Sequence, residues 1–373
     1  MNVAETRLCL LLHSIPDLDD SSLARLLVHF GSPRALWESR PEAWQSLGLP
    51  GRALRSLARA RQRGGGDPAI DTGAQLRVLA SVGALVLPLT DPRYPPLLRT
   101  IHDPPPLLYV RGDHTVLKQA QLAVVGSRNA SAAGLRAAAT LAGQAARAGL
   151  SVCSGLALGI DGAAHRGALA AGGTSVAVLA TGIDRIYPAR HARLASELAQ
   201  SGCLVSEFPP GVPPLRQHFP RRNRVISGLS LGVLLVEAAL PSGSLITAGT
   251  ALEQGREVFA MPWSVFHKGG AGCLRLIRDG ARVVESLEDI LVELGSLYQA
   301  QQALHGLDLP GPRANSEPGE QDEGLLGLVG FEAVSADELA QASGRPLAEV
   351  LAKLSVLELQ GSVARCPGGY IRL

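Results

Sequence analysis

The stretch Gln217–Ser230 carries a cluster of side chains suited to binding phosphate: Arg221, Arg222, Asn223 and Arg224. An arginine is always charged and presents a planar fork of N–H donors that matches phosphate oxygens. The apolar run Leu231–Ala238 follows directly and predicts a buried strand, which would hold the cluster against a rigid sheet. The spacing therefore predicts that this cluster binds a polyanion.

A second candidate anion site is the turn formed by Gly126, Ser127 and Arg128. It follows the apolar segment Leu122–Val125 and precedes an alanine-rich helix predicted over about 132–148. A strand, a tight glycine turn and a helix start bring amide N–H groups and a partial positive charge to one point. Only one glycine stands where a dinucleotide-binding turn has GxGxxG, so the pattern disfavours nicotinamide chemistry.

Asp161 and His165 stand four residues apart on one predicted helix and could be read as an acid–base pair. Asp161 falls at the predicted N-cap and His165 has no nucleophile nearby in the sequence, so capping and packing are favoured over catalysis. Glu207 and Glu237 end predicted strands at the edge where the arginines lie. A carboxylate placed there would orient an arginine rather than perform chemistry.

These residues lie within an alternation of strands and helices that begins near Leu76. The predicted strands are Leu85–Leu87, Leu108–Val110, Leu122–Val125, Ser151–Cys153, Ser175–Leu179, Leu204–Glu207, Leu231–Glu237, Val258–Ala260 and Val283–Val284. The alternation predicts an α/β domain with a parallel sheet, helices on both faces and Leu108–Val110 at its edge. Ligands bind such sheets at the carboxyl ends of the strands. Four segments belong at that edge: Gly126–Arg128, Gly155–Gly159, the loop before Arg222, and Ser242–Ser244.

Residues 1–75 predict a small helical domain ahead of the sheet domain, which is placed at 76–297. Apolar residues recur at helical spacing over Leu8–Leu12, Leu23–Phe30, Pro33–Glu38 and Ala53–Arg63. The turn Leu47–Leu54 contains two glycines and a proline and resembles a helix-hairpin-helix or SAM-like module, whose amides can contact a DNA phosphate. A plain helical hairpin is the alternative interpretation.

Residues 298–322 are rich in Gln, Pro, Gly and Glu and predict a linker. Three short helices and two strands predicted over 323–373 indicate a winged-helix domain. Residues 118–260 carry 13 basic against 7 acidic side chains, whereas 320–373 carry 4 against 8. The charge asymmetry favours a polyanion site in the middle of the chain, and a protein contact or a vestigial role for the acidic tail.

The chain has 373 residues, of which 46% are hydrophobic, enough for two or three domains with a large core. The N-terminal residues lack the pattern of a signal peptide, and no run approaches the roughly 20 apolar residues of a membrane span. A cytoplasmic location is therefore expected. Five cysteines without a CxxC pair predict neither a metal site nor a disulfide framework, and no cofactor is indicated.

Seven ordered segments resemble the DNA processing protein A (DprA, also called Smf) family: VVGSRNAS (124–131), SGLALGIDGAAHRGAL (154–169), VAVLATGIDRIYP (176–188), SEFPPG (206–211), FPRRNRVISGLS (219–230), LLVEA (234–238) and SGSLITA (242–248). The resemblance covers about residues 80–290. It implies an extended Rossmann-like fold and a protein without catalytic activity that binds single-stranded DNA. It also implies a homodimer formed through that fold, protection of incoming DNA, and loading of the RecA recombinase during natural transformation.

Carried over by motif, the family's Gly-Ser-Arg turn falls on Gly126–Arg128 and its basic motif on Phe219–Arg224. The expected DNA-binding set is Gly126, Ser127, Arg128, Phe219, Arg221, Arg222, Asn223, Arg224, Ser242, Gly243, Ser244 and Thr247. Two segments depart from the family pattern. This chain has Pro262-Trp263-Ser264 in place of Pro-Gly-Ser, and Gly272-Cys273-Leu274 in place of Gly-Cys-Asn. Trp263 either stacks on a base or plugs its loop.

Two rival functions remain open. Phosphoribohydrolases that cleave nucleoside monophosphates use a similar fold, with a PGGxGTxxE loop where this chain has PSGSLITAGTALE over 241–253. The double glycine is absent, and Glu253 falls several residues too late. A double-stranded-DNA-binding regulator acting through the tail is the weaker rival.

Overall fold

A computed structural model describes residues 3–45, 47–62, 71–295, 328–329, 334–359, 363–366 and 369–372. The chain divides into two compact units, Met1–His305 and Gly306–Leu373. The predicted linker 298–322 lies outside the described residues, as do residues 323–327 of the first predicted tail helix. The domain boundaries drawn from the sequence remain predictions.

The first unit opens with six helices: α1 (Val3–His13), α2 (Asp20–Phe30), α3 (Pro33–Glu38), α4 (Pro41–Gln45), α5 (Gly51–Gln62) and α6 (Thr72–Val82). The carboxylate of Asp19 accepts from the amide of Ser22 and so caps α2. The short α4 and the helix α6 were not predicted. Only Thr72 and Leu79 of α6 are buried, so its apolar periodicity is weak.

The N-terminal helices share an apolar core with one face of the sheet. Leu10, Leu26 and Trp44 are fully or nearly fully buried in the same cluster as Tyr109 and Leu179. The Nδ1 of His13 lies 2.9 Å from the hydroxyl of Tyr109. The helices therefore pack directly on the sheet.

The sheet has nine strands: β1 (Ala84–Pro88), β2 (Leu107–Gly112), β3 (Gln121–Val125), β4 (Ser151–Ser154), β5 (Ser175–Leu179), β6 (Cys203–Ser206), β7 (Gly232–Leu235), β8 (Glu257–Ala260) and β9 (Arg282–Val283). Their order is β1-β2-β6-β5-β4-β3-β7-β8-β9. All nine were predicted, but the placement of Leu108–Val110 at the edge was wrong. β2 lies between β1 and β6 and runs antiparallel to both, so the sheet is mostly, not wholly, parallel.

Eight helices connect and cover these strands: α7 (Pro96–Arg99), α8 (Ala132–Arg147), α9 (Ile160–Ala170), α10 (Ala192–Ser201), α11 (His218–Leu229), α12 (Gly243–Glu253), α13 (Ala271–Arg278) and α14 over 287–295. Alternate residues of β3 point to opposite faces. Leu122 and Val124 belong to the cluster that holds residues of α8 and α9, while Ala123 and Val125 belong to the cluster that holds residues of α11 and α12. The sheet is thereby buried on both faces.

The arginine cluster lies within α11, where the sequence interpretation had only a loop before Arg222. Pro220 is tolerated because it stands in the first turn, where its missing N–H has no helical partner. Val225, Ile226 and Leu229 recur at helical spacing and are buried against the sheet. With this helical spacing α11 continues to Leu229, and Ser230 caps it shortly before β7 begins.

The second unit is a winged helix. Its described elements are α15 (Ala336–Ser343), α16 (Leu347–Leu359), β10 (Val363–Cys366) and β11 (Gly369–Arg372), the last two forming an antiparallel hairpin. Ser335 and Glu338 form a reciprocal capping box at the start of α15. Leu339, Val350 and Leu354 are buried in its small core. In both units, the described helices include none with the length and apolar character needed to cross a bilayer.

Candidate nucleic-acid interface

A groove of about 470 Å³ opens at the carboxyl end of β3. β3 pairs with β4 on one side and with β7 on the other. The strand order runs β4-β5-β6 on the first side and β7-β8-β9 on the second, so the direction of strand addition reverses at β3. Open α/β sheets bind ligands at such a switch point because the flanking loops separate there. The groove is therefore where the topology alone would place a ligand.

The groove gathers ten of the twelve expected DNA-binding residues. These are Gly126, Ser127, Arg128, Phe219, Arg222, Asn223, Ser242, Gly243, Ser244 and Thr247. Arg221 and Arg224 are absent from its walls and line a different cavity, beside α2. The convergence brings the turn after β3, the loop before α12 and one face of α11 together.

The glycine turn is held tightly beneath the groove. A Cβ on Gly126 would lie 2.7 Å from the side chain of Ile160 and 2.8 Å from the carbonyl oxygen of Glu237, so only glycine fits without a shift. The amide of Ser127 donates to that same carbonyl at 2.7 Å. The expectation that this amide tracks a phosphate therefore needs correction, since its hydrogen is already used within the protein.

The start of α12 forms the opposite wall. Ser242 is its N-cap and accepts from the amide of Ser244, while the two hydroxyls lie 2.7 Å apart. Thr247 is buried one turn later. The helix start supplies partial positive charge, and the hydroxyls supply neutral donors, both of which favour an anion.

Arg128 is the exposed cation of the groove. Its guanidinium lies over the ring of Phe219, with 4.9 Å between Cζ and the ring centroid. In the part of the chain that the structure describes, Arg128 forms no ion pair with a carboxylate. Its donors are therefore directed by an aromatic ring and remain open to a phosphate.

Arg222 has a different environment, since it is only 3% exposed. Its Nη1 donates to the carbonyl oxygens of Gly155, at 2.7 Å, and of Val178. Its Nε donates to the side-chain oxygen of Asn223 at 3.2 Å. Burial lowers the pKa of Arg222 to about 10, although nearby Asp161 acts in the opposite direction. Arg222 thus uses its N–H donors mainly to hold the residues around the groove in place, rather than to bind a ligand.

Asp161 is buried beside this arginine and ties down the loop after β4. Its carboxylate accepts from the amides of Gly155 at 3.1 Å and Ala157 at 3.3 Å. Burial raises the pKa of Asp161, while Arg222 and these amides favour the charged form. The expected N-cap position was wrong, because Gly159 occupies it and Asp161 stands in the first turn of α9.

His165 has no role at the groove. It is fully buried, and its Nδ1 lies 2.8 Å from the hydroxyl of Ser175, which itself donates to the carbonyl oxygen of Val152. Because the hydroxyl hydrogen is used, the imidazole must donate from Nδ1. Burial lowers the pKa of His165 to about 3. Packing is therefore its role, as expected.

Arg221 and Arg224 lie on the face of α11 that is turned from the groove. The carboxylate of Glu207 accepts from both arginines, and it is almost fully buried. Arg221 also pairs with Asp20 of α2, and Arg224 pairs with Asp103 at 3.1 Å. The expectation that Glu207 orients arginines agrees with these contacts. The arginines it orients anchor α11 to the rest of the first unit.

Glu237 pairs with no arginine among the residues that the structure describes. Its carboxylate accepts from the amide and hydroxyl of Ser131, at the start of α8, and lies 3.2 Å from Nε2 of His267. It therefore links the loop after β3 to the loop after β8. The expectation that Glu237 orients an arginine was therefore wrong, because Ser131 and His267 occupy its carboxylate.

Trp263 lies outside the groove lining and is held within its own loop. Its indole N–H donates to the carbonyl oxygen of Val236 at 2.7 Å, and its ring stacks on His267 with 4.5 Å between centroids. These contacts agree with the interpretation of Trp263 as a loop plug. Its alternative role in base stacking stays a prediction.

Sequence reasoning missed two exposed apolar side chains beside the groove, Leu158 and Tyr187. They are 37% and 49% exposed. Tyr187 precedes Pro188 in the loop between β5 and α10. An aromatic residue in a loop after a strand, at the edge where the sequence predicted ligand binding, was the available signal.

Comparison with known proteins identifies similar sequences and folds. The sequence-family model of DNA recombination-mediator protein A matches residues 85–295, and that of the DprA winged helix domain matches residues 310–369. Protein Smf of Escherichia coli (strain K12) is 48% identical over 294 residues, which cover 77% of each chain. DNA processing protein DprA of Bacillus subtilis (strain 168) is 45% identical over 222 residues, covering 58% of this chain and 75% of the relative.

Two solved structures share the fold. DNA processing protein A from Streptococcus pneumoniae aligns with a TM-score of 0.66 at 33% identity, covering 76% of this chain and 95% of that one. The protein from Helicobacter pylori, whose structure addresses its single-stranded DNA binding mode, aligns with a TM-score of 0.52 at 28% identity. This second alignment covers 58% of this chain and 97% of the other.

Proposed function

The chain belongs to the DprA/Smf family of DNA recombination mediators, and on this premise we propose that its groove binds the backbone of single-stranded DNA. The observation that carries the proposal is the placement of exposed Arg128 opposite the start of α12, across a groove lined by serine and threonine hydroxyls. The single-stranded DNA binding mode described for the Helicobacter pylori protein supports the choice of ligand.

The bound strand serves recombination in this proposal. The protein protects incoming single-stranded DNA in the cytoplasm and loads RecA recombinase on it during natural transformation. The support is the family's description as a recombination mediator, which requires a recombinase to act with. The winged helix contributes a protein contact, because residues 320–373 carry only 4 basic against 8 acidic side chains.

Self-association through the Rossmann-like domain is the further part of the proposal. Val265 and Phe266, in the loop after β8, are 80% and 91% exposed. Adjacent apolar side chains at such exposure are expected to be covered by a partner surface. A second copy of the chain is the proposed partner.

Catalysis is not part of the proposed function. In a phosphoribohydrolase the glutamate of the glycine-rich loop must reach the nucleotide. Here Glu253 is exposed at the end of α12, about 15 Å of helix away from the groove at Gly243. The position of this carboxylate argues against the enzymatic rival.

The test is a side-by-side titration of single- and double-stranded DNA of equal length, with a nucleotide hydrolysis assay on the same sample. We expect tighter binding of the single strand, steeply weakened by salt because several phosphates are neutralised. A flat salt response would show that stacking dominates. Release of free base from AMP would overturn the assignment of a binding protein.

A further inference from the structure

The helix α5 carries four arginines and no acidic residue along its 12 positions. Three of them, Arg52, Arg55 and Arg59, are exposed. Their spacing of three and four residues places them on one side of the helix, and we call them the arginine face of α5. The buried residues of α5 lie on another side: Ala53, Leu57 and Ala60. The helix therefore packs by one side and presents a row of cations on another.

The fourth arginine, Arg61, is used within the protein. Its Nη2 donates to the carbonyl oxygen of Glu38 at 3.3 Å, and its guanidinium lies 5.8 Å from the ring centroid of Trp44. In the part of the chain that the structure describes, the arginine face pairs with no carboxylate. The carboxylate of Asp17 does contact α5, but it accepts from the hydroxyl of Ser56 at 3.2 Å. The three exposed guanidinium groups thus remain open to an external anion.

The positive end of the helix dipole adds to this charge. The first helical bond of α5 runs from the amide of Leu54 to the carbonyl oxygen of Pro50 at 3.2 Å. The amides of Gly51 and Arg52 therefore have no acceptor within the helix. Arg55 extends back toward this end, since a Cβ on Gly51 would lie 3.5 Å from its Nη1. One guanidinium and the helix dipole act on an anion at the same point.

The composition of the arginine face favours a phosphate backbone over a protein surface. Exposed large apolar side chains occur at other places in the first unit, but none lies among the described residues of α5. The core of a protein interface is usually apolar and poor in charge, which this face does not match. An arginine fork fits phosphate oxygens, and the three side chains span about 10 Å of helix axis, enough to follow successive phosphates of one strand.

We propose that the arginine face of α5 is a second contact for single-stranded DNA, and that it binds the backbone of a strand already held in the groove. This inference rests on the proposed function and extends it, because the ligand is the same. The added contact raises affinity only for a strand long enough to reach both places.

The helices α11 and α2 separate the groove from α5. Arg221 of α11 pairs with Asp20 of α2. Arg25 of α2 donates to the carbonyl oxygen of Leu47, in the turn before α5. Packed helices lie about 8–10 Å apart, so roughly 20 Å separate the two contacts. A strand of a few nucleotides fills only the groove, and a longer strand reaches the arginine face as well.

The test uses the full chain and single strands of about 6 and about 30 nucleotides. The variant replaces Arg52, Arg55 and Arg59 by glutamine. We expect its affinity for the long strand to fall at least about tenfold at low salt. The slope of log affinity against log salt should fall by about 2, since three phosphate contacts are lost at about 0.7 each. Affinity for the short strand should equal that of the wild type, because the groove is unchanged.

Replacing the same three arginines by lysine retains the charge and should retain the salt slope. The matched control replaces three other exposed arginines by glutamine and should bind both strands like the wild type: Arg77, Arg147 and Arg193. Thermal unfolding establishes that each variant is folded. If the triple variant fails to fold, each single substitution should still lower the slope by about 0.7.

Equal affinity of the wild type and the glutamine variant for the long strand would overturn the second contact and leave the face to an acidic protein surface. An equal loss for the short and the long strand would overturn it too, because the arginines would then act at the groove. A loss confined to double-stranded DNA of the same length would assign the face to a duplex instead. Failure of the wild type to bind either single strand would overturn the proposed function.

Discussion

Arg222 donates from Nη1 to the carbonyl oxygen of Gly155 at 2.7 Å, across 67 positions of the sequence. The contact joins α11 to the loop after β4. A Cβ on Gly155 would lie 2.5 Å from the guanidinium, so the loop backbone and the arginine fit against each other without room for a side chain. This pairing accounts for the burial of an arginine that the sequence had placed among the phosphate-binding residues.

Replacing Arg222 by alanine should destabilise the fold by about 3–5 kcal/mol, because the carboxylate of Asp161 would lose its buried positive neighbour and two carbonyl oxygens would lose a donor. Urea unfolding measures the loss. Arg193→Ala, at an exposed ion pair with Glu197, is the control and should leave the free energy of unfolding nearly unchanged. An Arg222→Ala variant as stable as the wild type would contradict the structural role.

Arg128→Ala should sharply weaken single-stranded DNA binding while leaving stability unchanged, because the side chain is exposed. The slope of log affinity against log salt should fall by about 0.7, the value for one phosphate contact on a single strand. Arg147→Ala, at the opposite end of α8, is the matched control for net charge. An unchanged affinity in a gel-shift titration would show that Arg128 does not contact the strand.

His165 predicts a pH dependence of stability. Its pKa is about 3 in the folded protein and about 6.5 when unfolded, so below pH 6.5 the unfolded state binds the extra proton. Stability should therefore fall on acidification, by about 2 kcal/mol between pH 7 and pH 5 from this residue alone. Urea unfolding of His165→Gln across this range should show a shallower dependence. Parallel curves for the two proteins would contradict the assignment.

A chain that ends at Gly311 should retain single-stranded DNA binding, since the groove lies wholly within the first compact unit. Gel-shift titration of the truncated and full chains at the same salt concentration measures the difference. Circular dichroism and thermal unfolding establish that the truncated chain is folded. Loss of binding by a folded truncated chain would assign the strand, at least in part, to the winged helix.

Phe266→Asp should weaken self-association, because a charge would replace the most exposed apolar side chain of the loop after β8. Analytical ultracentrifugation measures the dissociation constant. Val292→Asp changes an exposed apolar residue of α14 and serves as the control. Equal dissociation constants for the wild type and Phe266→Asp would place the dimer surface elsewhere.

The strands, and the edge of the sheet at which the groove opens, were predictable from the sequence because buried strands appear as short apolar runs between glycine turns. The distribution of the arginines was not. Residues 221, 222 and 224 were treated as one cluster, but adjacent side chains on a helix point about 100° apart. Recognising the period of Val225, Ile226 and Leu229 would have separated them. Arg222 is buried against Gly155 and Val178. These two residues become its neighbours only through tertiary packing.

The position of β2 within the sheet could not be predicted from the sequence either. Its apolar run is equally compatible with an edge or an interior strand, and its antiparallel pairing with β6 depends on residues nearly a hundred positions later. The resemblance to a family identified the residues of the groove. It did not reveal that the amide of Ser127 is already bonded to Glu237.

The ion pair between Asp20 and Arg221 connects α11 to α2, on the side of α11 that is turned from the groove. One face of the helix contributes Phe219 and Asn223 to the groove, and the other is fastened to α2. If α2 shifts relative to the sheet, this ion pair must break or α11 must move with it. The N-terminal helices therefore constrain the width of a groove whose walls they do not line.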